Sequence, residues 1–287
     1  MSLEIRGKIL TKLAGTKEIG PSIEVNPITE ISVPGLPEKY YVTNHFTNTY
    51  KSQLYKGFDL ETGEEIAIKK CLYDLDFQRE AAAYTKIFSK GGSQHILPYY
   101  ACIPGGYIVM PFMEDGMLWD LRKKKKGLSP EEAFDMTAQI GKALEQVHAM
   151  GVIHNDIKSG NVLLDASNGK YIAKLTDFGF SSCGIPALEP DWGDGTLQYN
   201  APEKLRDEGE LTPAVDIFSL GMILHEILTD TLFYQRNSRQ VRTFPPDKKI
   251  PDKVLPVLRT ACAFDPKDRY RTVTEMVSDL ERAVYQK

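Results

Sequence analysis

The stretch His154-Asn155-Asp156-Ile157-Lys158-Ser159-Gly160-Asn161 sets a carboxylate, a cation and a carboxamide in one short polar turn between apolar segments. An Asp in such a turn can accept a hydrogen bond from a nucleophilic hydroxyl. A Lys two residues on can stand against a phosphate, and an Asn five residues after the Asp can offer its side-chain oxygen to a hard metal ion. A turn-capping Asp would look the same in isolation. Its meaning rests on the flanks: a nucleotide site upstream and a second metal-binding carboxylate downstream.

Downstream, Val162-Leu163-Leu164 and Ala173-Lys174-Leu175 read as short strands on either side of the turn Ser167-Asn168-Gly169, and Asp177-Phe178-Gly179 follows at once. Helices dominate from there: about 213–229, about 251–262, and a last one opened by the capping box Thr272-x-x-Glu275. Immediately upstream, Ser129-Pro130-Glu131-Glu132 opens a helix whose apolar face, Phe134, Ile140, Leu144 and Val147, runs on to Gly151.

Further upstream the period changes to that of strands. Residues 53–59 and 65–70 read as a hairpin around Glu61-Thr62-Gly63-Glu64, and 96–101 and 107–111 as two more strands joined by Pro104-Gly105-Gly106. Alternation along Ile66-Ala67-Ile68-Lys69 puts Ala67 and Lys69 on one face. A helix over about 74–89 carries Glu80 on its apolar face, where a carboxylate needs a partner; Lys69 is the natural one, against a surface pair within the helix as the plainer alternative. Residues 112–116 lose periodicity, as a connector would. Residues 1–38, with Pro21, Pro27, Pro34 and Pro37, read as an extension that packs on the main body.

Composition narrows the class. With 42% hydrophobic and 26% charged residues the chain reads as a globular protein with a substantial core. A formal net charge of -4 argues against nucleic acid as a partner. The apolar runs are short and interrupted and the N-terminus lacks a signal pattern, so no membrane span is expected and the cytoplasm is the expected compartment. Cys71, Cys102, Cys183 and Cys262 form no C-x-x-C pair and no zinc spacing and read as reduced thiols, Cys183 being the one expected to be exposed and reactive. The cationic run from Arg122 to Lys126 reads as a solvated face, with an acidic or phosphorylated partner as the alternative.

Taken in order, Ile66-Ala67-Ile68-Lys69, Glu80, His154 to Asn161, Asp177-Phe178-Gly179 and Ala201-Pro202-Glu203 resemble the V-A-I-K strand, its helix glutamate, the H-R-D-L-x-x-x-N loop, the D-F-G and the A-P-E of eukaryotic-type protein kinases. Asp216 and Arg269 match two further positions of that family, and the resemblance runs from about Tyr40 to the C-terminus. It implies an α+β, two-lobed protein kinase-like fold: an extension over 1–38, a β-rich N-lobe with hinge over 39–113 and an α-helical C-lobe over 114–287.

It also implies ATP with Mg²⁺, and roles for named residues. Lys69, held by Glu80, would bind the α- and β-phosphates; Asn161 and Asp177 would hold the metal; Asp156 would accept the hydroxyl proton and Lys158 neutralise the transferring phosphate. Leu54, Ala67 and Leu163 would sandwich the adenine, with Met110 as gatekeeper and the Pro111 carbonyl and Met113 N–H as hinge contacts. Lys158, with Gly195-Thr196 before Tyr199, resembles the Ser/Thr rather than the Tyr branch, so a protein Ser/Thr hydroxyl is the implied substrate.

Two positions depart from the family. Thr47-Asn48-Thr49-Tyr50-Lys51-Ser52-Gln53-Leu54 stands where a Gly-rich loop is expected and contains no glycine, so the phosphate cover is reshaped and hydroxyls of Thr47, Thr49 or Ser52 become candidate phosphate contacts. Asn155 stands where most members have an Arg that receives an activation-loop phosphate, which implies independence from such phosphorylation. The glycine-free loop keeps open a binding or scaffolding module with the same fold. Asn155 keeps open a small-molecule kinase, against which stand the D-F-G, the A-P-E, Asp216 and Arg269.

Overall fold

The computed structural model describes residues 33–166, 169–188, 196–206, 210–232 and 247–286, and the protein is α+β. Most of the expected extension (1–32), two residues of the 167–169 turn, and Gly195 lie outside the described residues. The contacts divide the chain into two compact units: one runs to Ala81 and resumes over Pro98–Phe112, the other comprises Ala82–Leu97 and the chain from Met113 on.

The first unit is an antiparallel sheet of β1 (Tyr40–Asn48), β2 (Ser52–Asp59), β3 (Glu65–Cys71), β4 (Ala101–Ile103) and β5 (Tyr107–Pro111), in the order β1-β2-β3-β5-β4. Alternation sends Tyr40, Val42, Ile66, Ile68, Tyr107 and Val109 to one face, where they form a buried cluster. Val33 and Leu36 pack against that cluster, and the Tyr107 hydroxyl donates to the Pro34 carbonyl at 2.6 Å. Gly57 is required where β1 crosses β2, because a Cβ there would run into the Tyr41 carbonyl. Helix α1 (Asp74–Phe88) begins in this unit and ends in the second.

The expected strand over 96–101 does not form. Ile96 makes only an isolated parallel bridge to Leu175, and Leu97 N–H donates to the Leu175 carbonyl at 2.8 Å. Pro98 explains the break, since it cannot donate to a ladder, and pairing starts only at Ala101.

The second unit holds α2 (Leu118–Lys125), α3 (Pro130–Ala149), the ribbon of β6 (Val162–Asp165) and β7 (Ile172–Leu175), α4 (Pro202–Arg206), α5 (Ala214–Thr229), α6 (Leu255–Ala261) and α7 (Val273–Tyr285). Helix α3 starts as the capping box predicts, with Glu132 N–H donating to Ser129 Oγ at 3.2 Å and Ser129 N–H to Glu132 Oε2 at 3.0 Å. Gly141 lets α3 approach α7, since a Cβ there would lie 2.7 Å from Val277 Cγ2. Helix α5 is buried along its whole length from Val215, including Asp216 and Glu226, which are bonded to other parts of the unit. Among the described residues, no helix is long and apolar enough to cross a membrane.

Helix α2 has little apolar period to mark its bounds in the sequence: four of its eight residues are cations, and its apolar stripe is little more than Leu118 and Leu121. Its position corrects the view of the cationic run as one solvated face. Arg122 is buried, with Nε 2.9 Å from Glu226 Oε1 and Nη1 2.7 Å from Asp230 Oδ1, while Lys123 and Lys124 are exposed. Cys183 is also corrected: it is buried, with Sγ 3.8 Å from Ser181 Oγ.

Candidate active site

In the sheet unit, register decides which side chains share a face. Leu54 pairs with Lys69, and Ala67 pairs with Met110. Because cross-strand partners project to the same side, Leu54, Ala67, Lys69 and Met110 lie on one face, which Lys56, opposite Ala67, and Ile108, opposite Lys69, also share. Lys69 is buried and donates to Glu80 Oε2 at 2.6 Å, so the expected strand-to-helix pair forms rather than a pair within α1. A buried ion pair of this kind fixes geometry more than it stabilises. Pro111 ends β5 opposite Ile66, and Phe112 N–H donates to the Glu65 carbonyl at 3.2 Å.

Phe46 belongs to none of the sequence motifs. Its half-exposed ring stands edge-on to Phe112 with centroids 6.1 Å apart, on β1 just before Thr47 pairs with Leu54. Its place alone, an aromatic one residue before the glycine-free stretch, was the signal in the sequence.

That loop is a tight, self-bonded turn. Thr49 N–H donates to the Ser52 carbonyl at 2.8 Å, Thr49 Oγ1 accepts from Ser52 N–H at 2.9 Å, and the two hydroxyls are 3.0 Å apart. The Thr49 and Ser52 hydroxyls proposed as phosphate contacts are thus engaged with each other. The turn is tied to the start of α1, where Leu72 N–H donates to the Lys51 carbonyl at 2.8 Å and Lys51 Nζ lies 3.7 Å from Asp76 Oδ2.

In the helical unit the turn from His154 to Asn161 is held by distant residues. The N–H groups of His154 and Asn155 donate to Asp216 Oδ2 and Oδ1 at 2.9 and 2.8 Å, and His148 Nε2 lies 2.8 Å from Oδ2. Burial alone would raise the Asp216 pKa, but the His148 contact and these donors overcome it and hold the carboxyl below its ordinary range. Burial pushes His154 below the ordinary imidazole range despite the carboxylates around it. Asn155 sits at φ +67, a left-handed conformation that Asn tolerates better than most residues, and its Nδ2 donates to the Phe180 carbonyl at 3.0 Å.

Asp156 is 3% exposed and both its oxygens are engaged. Oδ2 accepts from Lys158 Nζ at 2.7 Å and Asn161 Nδ2 at 3.0 Å; Oδ1 accepts from Thr196 N–H at 3.1 Å and, more weakly, the Thr196 hydroxyl at 3.4 Å. Lys158 Nζ also donates to Thr196 Oγ1 at 3.0 Å, so the structure brings together Asp156, Lys158 and Thr196. Ser159 Oγ is 3.2 Å from the Tyr199 hydroxyl, which donates to Glu226 Oε2 at 2.8 Å. Burial raises the Glu226 carboxyl above its ordinary range, with Tyr199 and Arg122 pulling the other way.

The ribbon delivers the second carboxylate to this turn. Val162 pairs with Leu175, and Thr176 N–H donates to the Asn161 carbonyl at 3.0 Å, so Asp177 follows directly from a residue bonded to Asn161. Asp177 also takes a left-handed φ of +66, and Phe178 beside it is wholly buried against His154 and Tyr84, with ring centroids 4.7 and 5.2 Å away. With its amide nitrogen donating to Asp156, Asn161 offers its carboxamide oxygen as the donor atom, and Asp177 offers carboxylate oxygens; this all-oxygen set fits Mg²⁺. Leu163, partly buried, lies on β6 opposite Lys174 and bridges Met117, while Met113 is partly buried just ahead of α2. At the base, both Glu203 oxygens accept from Arg269 at 2.7 Å.

The protein kinase domain model matches residues 50–280, and the chain belongs to that family. It is 29% identical over 220 residues to a probable serine/threonine-protein kinase of Clostridium perfringens, covering 72% of this chain and 31% of the relative. It is 28% identical over 261 residues to a probable serine/threonine-protein kinase of Streptomyces coelicolor, covering 80% and 37%. With the serine/threonine-protein kinase PknB of Mycobacterium tuberculosis it shares 27% identity over 259 residues, covering 80% and 40%. The matched regions span about a third of the length of these curated relatives.

Proposed function

We propose that the protein is a Ser/Thr protein kinase that transfers the γ-phosphate of Mg-ATP to a protein hydroxyl. The observation that carries the reading is the Lys158 ammonium bridging Asp156 Oδ2 and Thr196 Oγ1, a cation held beside a carboxylate where a hydroxyl is bound. The names of the relatives support the Ser/Thr branch.

In this reading the substrate hydroxyl oxygen attacks the γ-phosphorus, the bond from that phosphorus to the bridging oxygen breaks with its electron pair leaving on ADP, and the hydroxyl proton passes to Asp156. Oδ1 is the accepting oxygen, because the 3.4 Å contact from the Thr196 hydroxyl is the weakest of the four and the most readily displaced. Lys158 offsets charge on the transferring group, Lys69 held by Glu80 takes the α- and β-phosphates, and Leu54, Ala67, Met110 and Leu163 offer apolar surface to the base, with Pro111 and Met113 as its backbone contacts. Asn161 and Asp177 would hold Mg²⁺, which when bound supplies positive charge to the phosphate oxygens.

Independence from activation-loop phosphorylation belongs to the same proposal. Asn155 is neutral and its amide is bonded to Phe180; Ser181 and Tyr199 are buried and the Thr196 hydroxyl is bonded to Lys158. A reducing, cytoplasmic compartment suits four cysteines that form no disulfide.

The test is to incubate wild type and Asp156→Asn with labelled ATP and Mg²⁺, with generic protein substrates, while measuring ATP affinity. Transfer by wild type alone supports the reading. The self-bonded Thr49–Ser52 turn favours one second reading, a nucleotide-binding module without turnover, which tight ATP binding with no transfer would establish. Transfer to small alcohols only would point to a small-molecule kinase. Loss of activity on phosphatase treatment, restored by rephosphorylation of the loop, would refute phosphorylation independence.

A further inference from the structure

Lys204 plays no part in the chemistry above, yet it is only 3% exposed. A buried ammonium is costly unless its donors are well used, so the groups it bonds show what it holds. Lys204 Nζ donates to the backbone carbonyl of Asn155 at 2.7 Å and to Asn200 Oδ1 at 3.3 Å. The first acceptor belongs to the peptide that joins Asn155 to Asp156.

That peptide needs holding. Asn155 is in the left-handed region, which a non-glycine residue keeps only when its surroundings impose it. Its N–H is fixed by Asp216, its side chain reaches the Phe180 carbonyl, and Asp156 N–H faces His154 Nδ1 at 3.3 Å. Lys204 grips the remaining end, the carbonyl, with a charge-assisted bond. Its own base is rigid: Glu203, the preceding residue of α4, has its carboxylate forked onto the buried Arg269.

We propose that Lys204 is a positioning residue for Asp156: its ammonium pins the Asn155 carbonyl, maintains the left-handed turn and so sets the direction in which the Asp156 carboxylate leaves the loop. The role rests on the reading of Asp156 as the proton acceptor. It explains why a lysine occupies a buried place in α4, and why the loop keeps its geometry with an uncharged Asn at 155.

The experiment uses the full chain with Lys204→Met, Lys204→Gln and Lys204→Arg, measuring kcat, KM for a protein substrate, ATP Kd, thermal midpoint and hydrogen exchange over residues 153–161. A small displacement of a reacting group costs on the order of 10- to 100-fold in rate. That is the expected loss in kcat for Lys204→Met, with ATP Kd and KM near wild type and faster exchange confined to 153–161. Lys204→Arg, which keeps the charge and donors, should recover part of the rate, and Lys204→Gln should fall between. Unchanged kcat in the folded Met variant, or exchange that rises evenly across the helical unit, overturns the proposal. Should the Met variant fail to fold, the Gln variant decides: exchange at 153–161 equal to wild type overturns it, and a local rise upholds it. Wild type without any transfer would sink the kinase reading instead, while the exchange comparison would still decide whether Lys204 holds this loop.

Discussion

The turn between β1 and β2 and the turn that carries Asp156 are both short and polar, but they are closed in different ways. The first is held largely from within, by Thr49 and Ser52, with one tie to Leu72 and another to Asp76. The second is held from outside, by Asp216, Lys204 and Thr196, residues 40 to 62 positions away. A locally closed turn keeps its shape on its own side chains and tolerates change elsewhere. A turn closed by distant residues inherits the precision of the packed unit around it, which is what a group that must meet a reacting atom requires.

The largest effect should come at the centre of the second turn. Asp156→Asn should lower phosphoryl transfer by roughly 10²- to 10⁴-fold, the range for losing a positioned general base, with ATP binding retained. Transfer undiminished in that variant would remove the reason for treating the turn as reactive. Next comes its support: Asp216→Ala strands the N–H groups of His154 and Asn155, at about 1–3 kcal/mol for each buried unsatisfied donor. The denaturation midpoint reads this loss, and transfer should fall with it.

A smaller, graded effect should follow pH. Burial lowers His95, His154 and His225 from 6.5, so their folded-state values lie below the unfolded one. Stability from these groups is fully present above pH 6.5 and is lost as pH falls toward the folded values, because the unfolded chain then binds more protons. Glu226, raised by burial, works in the opposite sense at one site against three. Thermal midpoints at pH 7.5 and 5.5 check this, and a higher midpoint at the lower pH would contradict it.

The smallest effect should come from the first turn. Thr49→Ala removes hydrogen bonds worth about 0.5–1.5 kcal/mol net and should soften the sheet unit while leaving ATP affinity close to wild type. A loss of ATP affinity with stability intact would assign that hydroxyl to phosphate after all, and would break the contrast between the two turns.

Much of the site is legible in the sequence. Alternation put Ala67 and Lys69 on one face, and the register Leu54↔Lys69 and Ala67↔Met110 extends that face across three strands. A carboxylate on the apolar side of a helix called for a cation, and Lys69 is bonded to Glu80. Helix α2 was illegible because its cations mask an apolar stripe that consists of little more than Leu118 and Leu121. Arg122 looked like its lysine neighbours, and only the fold brings Glu226 and Asp230, about a hundred residues on, to its guanidinium. Phe46 and Lys204 carried no motif to mark them.

The sequence by itself determined which residue types stand in the His154–Asn161 turn, their spacing, the Asp177 that follows and the strand-then-helix order around them, because period and motif are local properties of a chain. Tertiary structure alone decided what holds that turn in shape: the Asp216 carboxylate, the Thr196 backbone and a lysine buried in α4. These contacts span tens of residues and exist only once packing has excluded water from the groups that make them, a collective outcome that no short stretch of sequence encodes.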